Sequence, residues 1–220
     1  MLLYFNEPEQ IDNEFVFAVL ELMPDEKKAK LLKSCLSAQK HSATAFALLL
    51  FALNKSGFNS PLLFEYSSDG KPYIKNSNLF FNVSHCDTAV ACAVAQSEIG
   101  VDVQNEARHT PALIKRICTP AEQAVLEGGA PFARLWSQKE SILKYRGTGI
   151  SEIRALYDLS HCSENDRKYT IPDGALITFD IGTAHLSVCC EDEIGEPVRI
   201  DYETLAAFVD NTVDGKGVLL

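Results

Sequence analysis

The sequence is short of positive charge. Twenty Lys and Arg stand against thirty Asp and Glu, a formal net charge of −10 over 220 residues. Nonspecific nucleic-acid binding needs surplus cations to neutralise phosphates, so the composition argues against it. An acidic chain that handles a polyanion must concentrate its cations locally or recruit a metal. The sequence also lacks a CxxC pair. Its seven cysteines include the adjacent Cys189 and Cys190 but show no metal-ligand spacing, which reads as the reduced, buried thiols of a cytosolic protein. Met1 to Glu7 has neither the basic start nor the apolar stretch of a signal peptide. The longest apolar run, Ala43 to Leu53, is too short to cross a bilayer and reads as a buried helix. The expectation is a cytoplasmic protein with no membrane partner.

With 46% hydrophobic residues, the chain has enough apolar surface for one large domain or two small lobes. Phe15 to Leu20 reads as a strand, followed by a helix opening at Pro24-Asp25-Glu26 and a second over Ser37 to Asn54 that stops near Ser56-Gly57. Asp69-Gly70 signals a hairpin turn. Leu79 to Val83 and Ala89 to Ala95 are strand-like, with Ser84-His85-Cys86-Asp87 as the polar break between them. Much of Asn105 to Arg146 reads as helical, with a capping box at Thr119-Pro120-Ala121-Glu122 and a stop at Gly128-Gly129. Ala175 to Ile181 and Leu186 to Cys190 are the clearest later strands. They echo the earlier pair: Phe81-Asn82-Val83 then Val90-Ala91-Cys92, against Phe179-Asp180-Ile181 then Val188-Cys189-Cys190. Shared composition would explain the echo; so would a duplication, which would leave a ligand-binding cleft between two α/β lobes.

Two segments carry candidate chemistry. Ile99-Gly100-Val101-Asp102-Val103-Gln104 alternates with period two, which puts Asp102 and Gln104 on one strand face and Val101 and Val103 on the other. Alone, Asp102 reads as a cap or turn residue. In Trp136-Ser137-Gln138-Lys139-Glu140-Ser141-Ile142-Leu143-Lys144, Glu140 and Lys144 stack one helical turn apart at the edge of a buried face. Alone, they read as a surface ion pair.

Together, in this order and about thirty residues apart, the two segments resemble the signature pair of the larger, two-lobed 4′-phosphopantetheinyl transferases. Gly70-Lys71-Pro72, Phe81-Asn82-Val83-Ser84-His85 and Gly147-Thr148-Gly149 match in the same order. The resemblance implies an α/β (α+β) fold of two pseudo-twofold lobes, residues 1–100 and 101–220, with the active site in the cleft between them. It implies transfer of the phosphopantetheine arm of coenzyme A to a serine of an acyl, peptidyl or polyketide carrier protein. Magnesium, with manganese as alternative, would be held by Asp102 and Glu140, with Gln104 at the position of the usual second carboxylate. Glu140 and Lys144 would be the catalytic pair. Lys28, Lys40, His41, Lys71, Pro72, Ser84 and His85 would contact coenzyme A, Lys40 standing where an arginine is usual. The same residues leave open a noncatalytic coenzyme A or carrier-binding module. Ile114, Ile117 and Cys118 are candidates for a carrier-facing surface, although their spacing equally fits a core stripe. Two lobes in one chain favour a monomer.

Overall fold

A computed structural model describes residues 1–106, 109–162 and 167–215. In chain order the elements are β1 (Leu2–Asn6), α1 (Asn13–Glu21), α2 (Asp25–Leu31), α3 (Leu36–Lys55), β2 (Phe64–Tyr66), β3 (Pro72–Ile74), β4 (Phe80–His85), β5 (Ala89–Ala95), β6 (Ile99–Asn105), α4 (Pro111–Ile117), α5 (Pro120–Glu127), α6 (Phe132–Arg146), β7 (Lys168–Ile171), β8 (Gly174–Ile181), β9 (Ala184–Cys190), β10 (Val198–Arg199) and α7 (Tyr202–Val213). The fold is mixed α/β.

Two four-stranded sheets, ordered β10-β1-β5-β4 and β6-β9-β8-β7, pack face to face, with helices on both outer sides. Strand alternation builds these layers. On β5, Val90, Cys92 and Val94 enter a core with α1, α3 and α7, while the small Ala89, Ala91 and Ala93 face the second sheet. On β9, Leu186, Val188 and Cys190 face the first sheet, and Cys189 turns to a third core with Ile142 and Leu143 of α6. All seven cysteines are free thiols, and five of them are buried. Among the described residues no helix is long and apolar enough to cross a membrane.

Two expectations need correction. Phe15 to Leu20 is helical, because Asp12 caps α1 by accepting the Phe15 N–H at 2.7 Å, and Phe15, Val16, Val19 and Leu20 bury one helical stripe. Ser84 and His85 continue β4, and the turn lies beyond them, closed by Cys86 N–H to the Ala89 carbonyl at 2.8 Å. Much of Asn105 to Arg146 is helical as expected, in α4, α5 and α6, although Asn105 itself ends β6 and residues 107 and 108 lie outside the described ones. Contacts also run from the end of the chain to its start: β10 pairs with β1, and Leu205 and Val209 of α7 enter the core of the first sheet. The capping box at Thr119 and Glu122 is formed as the sequence predicts.

Candidate active site

Besides facing each other, the two sheets meet along one pair of edge strands, β4 and β6. β6 pairs with β9 on one side only. On its other side the side chains of β4 serve as acceptors: Asn82 Oδ1 takes the Val101 N–H at 3.0 Å and Ser84 Oγ takes the Val103 N–H at 3.3 Å. Two side chains thus satisfy an edge that would otherwise expose unpaired amides. The polar spacing of Phe81-Asn82-Val83-Ser84-His85 is what joins the sheets.

Over the outer face of β6, away from the first sheet, α6 lies so close that Gly100 is required. A Cβ at Gly100 would stand 2.0 Å from the Ser141 carbonyl oxygen and 2.3 Å from the Tyr145 nitrogen, both backbone atoms. This approach brings Asp102, 2% exposed, beneath α6. Asp102 Oδ1 accepts from Lys144 Nζ at 2.6 Å and from Ser84 Oγ at 2.7 Å, and Lys144 Nζ also reaches Ser84 Oγ at 2.9 Å. Asp102 Oδ2 accepts from Gln104 Nε2 at 3.0 Å. Lys144 therefore pairs across elements with Asp102, whereas its helical spacing alone suggested Glu140. Glu140, half-buried beside this cluster, has its carboxyl pKa raised by burial and by the Asp102 charge, with Lys144 opposing.

His85 ends β4 at the rim of a cleft of about 410 Å3 lined also by Lys27, Lys30, Phe46, Pro72 and Phe81. Burial, then repulsion from His41 and Lys144, holds the His85 imidazole below its ordinary pKa, although part of its ring stays open to solvent. His41, 5% exposed, packs against His85 with ring centroids 5.2 Å apart. Its Nδ1 faces the Ser37 carbonyl at 2.8 Å, and its buried Nε2 has no partner. An imidazole placed this way could meet an anion entering beside His85.

The structure brings together Asp102, Glu140, Gln104, Lys144, Ser84, His85, His41 and Pro72, and separates three lysines from the expected set. Lys71, 8% exposed, gives its ammonium to Glu98 at 2.6 Å, the Tyr145 carbonyl at 3.0 Å and the Ile99 carbonyl at 3.3 Å. An ammonium has three donors, and with these three contacts Lys71 clamps the start of β6 to the end of α6. Lys28 points away and pairs with Glu21 at 2.8 Å. Lys40 donates to the Glu9 carbonyl at 2.5 Å, tying α3 to the turn after β1. Lys27 and Lys30 take the cleft positions instead. Their signal was in the sequence, because Lys27 and Lys30 are three residues apart on one helical face, and Lys27 stands one turn before the buried Leu31. Ile117 and Cys118 are buried in the third core with Ile114 packed against it, so this stripe faces inward and offers no carrier surface.

Residues 98–195, which carry β6, α6 and the second sheet, match the model of the 4'-phosphopantetheinyl transferase superfamily. Over these residues, somewhat less than half of the chain, the sequence is similar to that superfamily. A 4'-phosphopantetheinyl transferase of Bacillus subtilis is 32% identical over 132 residues, covering 54% of this chain and 59% of its own length. The transferase HetI of a Nostoc species is 30% identical over 127 residues, with coverages of 52% and 54%. The transferase psf-1 of Bacillus pumilus is 32% identical over 140 residues, with coverages of 59% and 60%. The chain thus spans little more than half the length of these curated relatives. The superfamily match covers Gly100, Asp102, Gln104, Glu140 and Lys144 and stops short of β4, so the contribution of Ser84 and His85 rests on the geometry.

Proposed function

We propose that this chain transfers the 4′-phosphopantetheine arm of coenzyme A to a serine of an apo carrier protein, releasing adenosine 3′,5′-bisphosphate. The observation that carries the reading is the seam itself: Asp102, Ser84 and Lys144 within hydrogen-bond distance of one another, beside Glu140 and the rim of a basic cleft. The three relatives named above, each called a 4'-phosphopantetheinyl transferase, support it.

The cleft, with Lys27, Lys30 and His85 around apolar Phe46 and Phe81, suits a ligand that is part polyanion and part hydrocarbon. His41 adds a second imidazole beside His85 for a phosphate oxygen. Among the described residues no cluster of three or more His, Cys, Asp or Glu is placed for a metal. Asp102 and Glu140 with the amide oxygen of Gln104 still fit magnesium, which takes one or two protein carboxylates and completes its octahedron with phosphate and water. When bound, magnesium would neutralise pyrophosphate charge. The chain's own residues would do the rest. Lys144 stabilises the leaving phosphate as it gains charge, Ser84 holds Asp102 in place, and the closed seam excludes water. The serine oxygen forms the new bond to phosphorus, its proton passing to a Glu140 carboxylate oxygen that the metal leaves free, as the pyrophosphate bond to the departing adenosine 3′,5′-bisphosphate breaks. Metal ligation and proton transfer compete for the same Glu140 lone pairs, and with so few carboxylates we assign Glu140 to ligation first. A reduced cytoplasmic setting agrees with the seven free thiols.

The test is to incubate the chain with apo carrier proteins, coenzyme A and magnesium, and to seek the phosphopantetheine increment by mass spectrometry. Coenzyme A that binds without any increment would favour the second reading, a noncatalytic binding module. The neutral Gln104 at Asp102 Oδ2 is the feature that favours it.

A further inference from the structure

The Trp136 to Lys144 segment contains one charge that points away from the active site. Lys139, beside Glu140, is 1% exposed and meets Glu122, 0% exposed, at 2.9 Å. Glu122 belongs to α5 and also accepts the Thr119 N–H at 2.8 Å and the Leu159 N–H at 2.9 Å. One carboxylate thus ties the start of α5, the segment at Leu159 and the middle of α6. Beside this pair, α5 and α6 face each other across a cleft of about 320 Å3, where apolar contact between them is incomplete. The sheet-facing side of α6 is held by Ser137 Oγ against Ser187 Oγ at 2.8 Å and Gln138 Nε2 to Thr178 Oγ1 at 3.2 Å.

We propose that the buried Lys139–Glu122 pair is a positioning device that sets the rotation of α6, and with it the direction in which Glu140 and Lys144 meet Asp102. The proposal rests on the transferase reading. Successive helical residues lie about 100° apart, so a group fixed at Lys139 fixes the direction of Glu140. At a radius of 5 to 6 Å, a rotation of about 20° carries a side-chain tip roughly 2 Å. Misplacement of about 1 Å at a reacting centre can cost on the order of 10²-fold in rate. Buried ion pairs are poor devices for stability, since apolar replacements often fold as well, and a registry role is their best-attested use. The bonds of Ser137 and Gln138 share the load, so the expected loss is smaller than the full effect.

The test variant is Glu122→Gln combined with Lys139→Met, which removes both charges and keeps an acceptor for a backbone N–H. Three readouts are taken: melting temperature, kinetics, and emission of Trp136, the one tryptophan of the chain, which lies on α6 stacked on Phe132 at 5.8 Å. The expected result is a folded protein with shifted Trp136 emission, kcat lowered about tenfold or more, and KM for coenzyme A within about twofold of the parent; Lys139→Arg, which keeps the charge, recovers most of the rate. A folded double variant with parental kcat and emission, or one in which only KM changes, overturns the proposal. If the double variant does not fold, Glu122→Asp is read instead: it keeps both charges and withdraws the carboxylate by one methylene. Lowered kcat at unchanged KM then supports the proposal, and parental kcat overturns it. A wild-type chain that transfers nothing defeats the transferase reading alone. In that case Trp136 emission decides the positioning, and an unshifted spectrum in whichever variant folds sinks it.

Discussion

Ser84 and Asp102 are carried by edge strands of two different sheets, 18 residues apart in sequence, and meet at 2.7 Å. Ser84 also accepts the Val103 N–H, so one hydroxyl joins the sheets and orients the carboxylate. The site is therefore a property of the seam and does not belong to either sheet alone.

Asp102→Ala removes the acceptor shared by Lys144, Ser84 and Gln104. Transfer is expected to fall by about 10² to 10³-fold, the scale of losing a preorganised electrostatic group. Gln104→Glu restores a second carboxylate on β6 and is expected to preserve or raise activity and to lower the magnesium concentration giving half-maximal rate. A titration of rate against magnesium checks both, and abolished activity in Gln104→Glu would refute the role given to that position.

Glu140 links activity to pH. Its carboxyl pKa is raised, first by burial and then by Asp102. A carboxyl with a raised folded pKa favours the native state below its unfolded value, and that contribution is lost as pH rises through the folded value. Glu140→Gln is thus expected to raise the melting temperature at neutral pH, to change it little near pH 4, and to abolish transfer. In the parent the acid limb of the rate profile should lie above that of an ordinary glutamate. Melting curves and rates across pH check the sign.

Gly100→Ala places a methyl group against the backbone of Ser141 and Tyr145, neither of which can rotate aside. Either α6 lifts from β6 or the strand shifts, at a cost of about 3 kcal/mol. Denaturant unfolding should show this loss. Any folded fraction should transfer slowly, because Asp102 and Lys144 part.

The lysines separate structure from binding. Lys71→Met leaves Glu98 and two carbonyls without their cation and is expected to cost about 2 kcal/mol of stability, the partial exposure of Glu98 softening the loss. KM for coenzyme A should change little. Lys27→Ala and Lys30→Ala should leave stability nearly intact and raise KM for coenzyme A about tenfold each, the value of a charge-assisted phosphate contact. Calorimetry beside kinetics distinguishes the two patterns.

Local pattern alone was enough for much of this protein. The alternation around Asp102, the helical spacing of Glu140 and Lys144, the capping box at Thr119 and Glu122, and the long buried helix α3 are short-range consequences of side-chain periodicity and hydrogen bonding. Phe15 to Leu20 was misread because a short apolar run carries no clear period, and the cap at Asp12 settles it only once the chain is seen to turn there. What sequence could not supply were the partners of charged groups. That Lys144 meets Asp102 and not Glu140, that Lys71 joins Glu98 to the end of α6, and that Lys139 is buried on Glu122 all depend on contacts between elements far apart in the chain. A charge one helical turn from an opposite charge is only an available partner. The tertiary structure decides which pair loses its water, and it is burial that makes one pairing prevail.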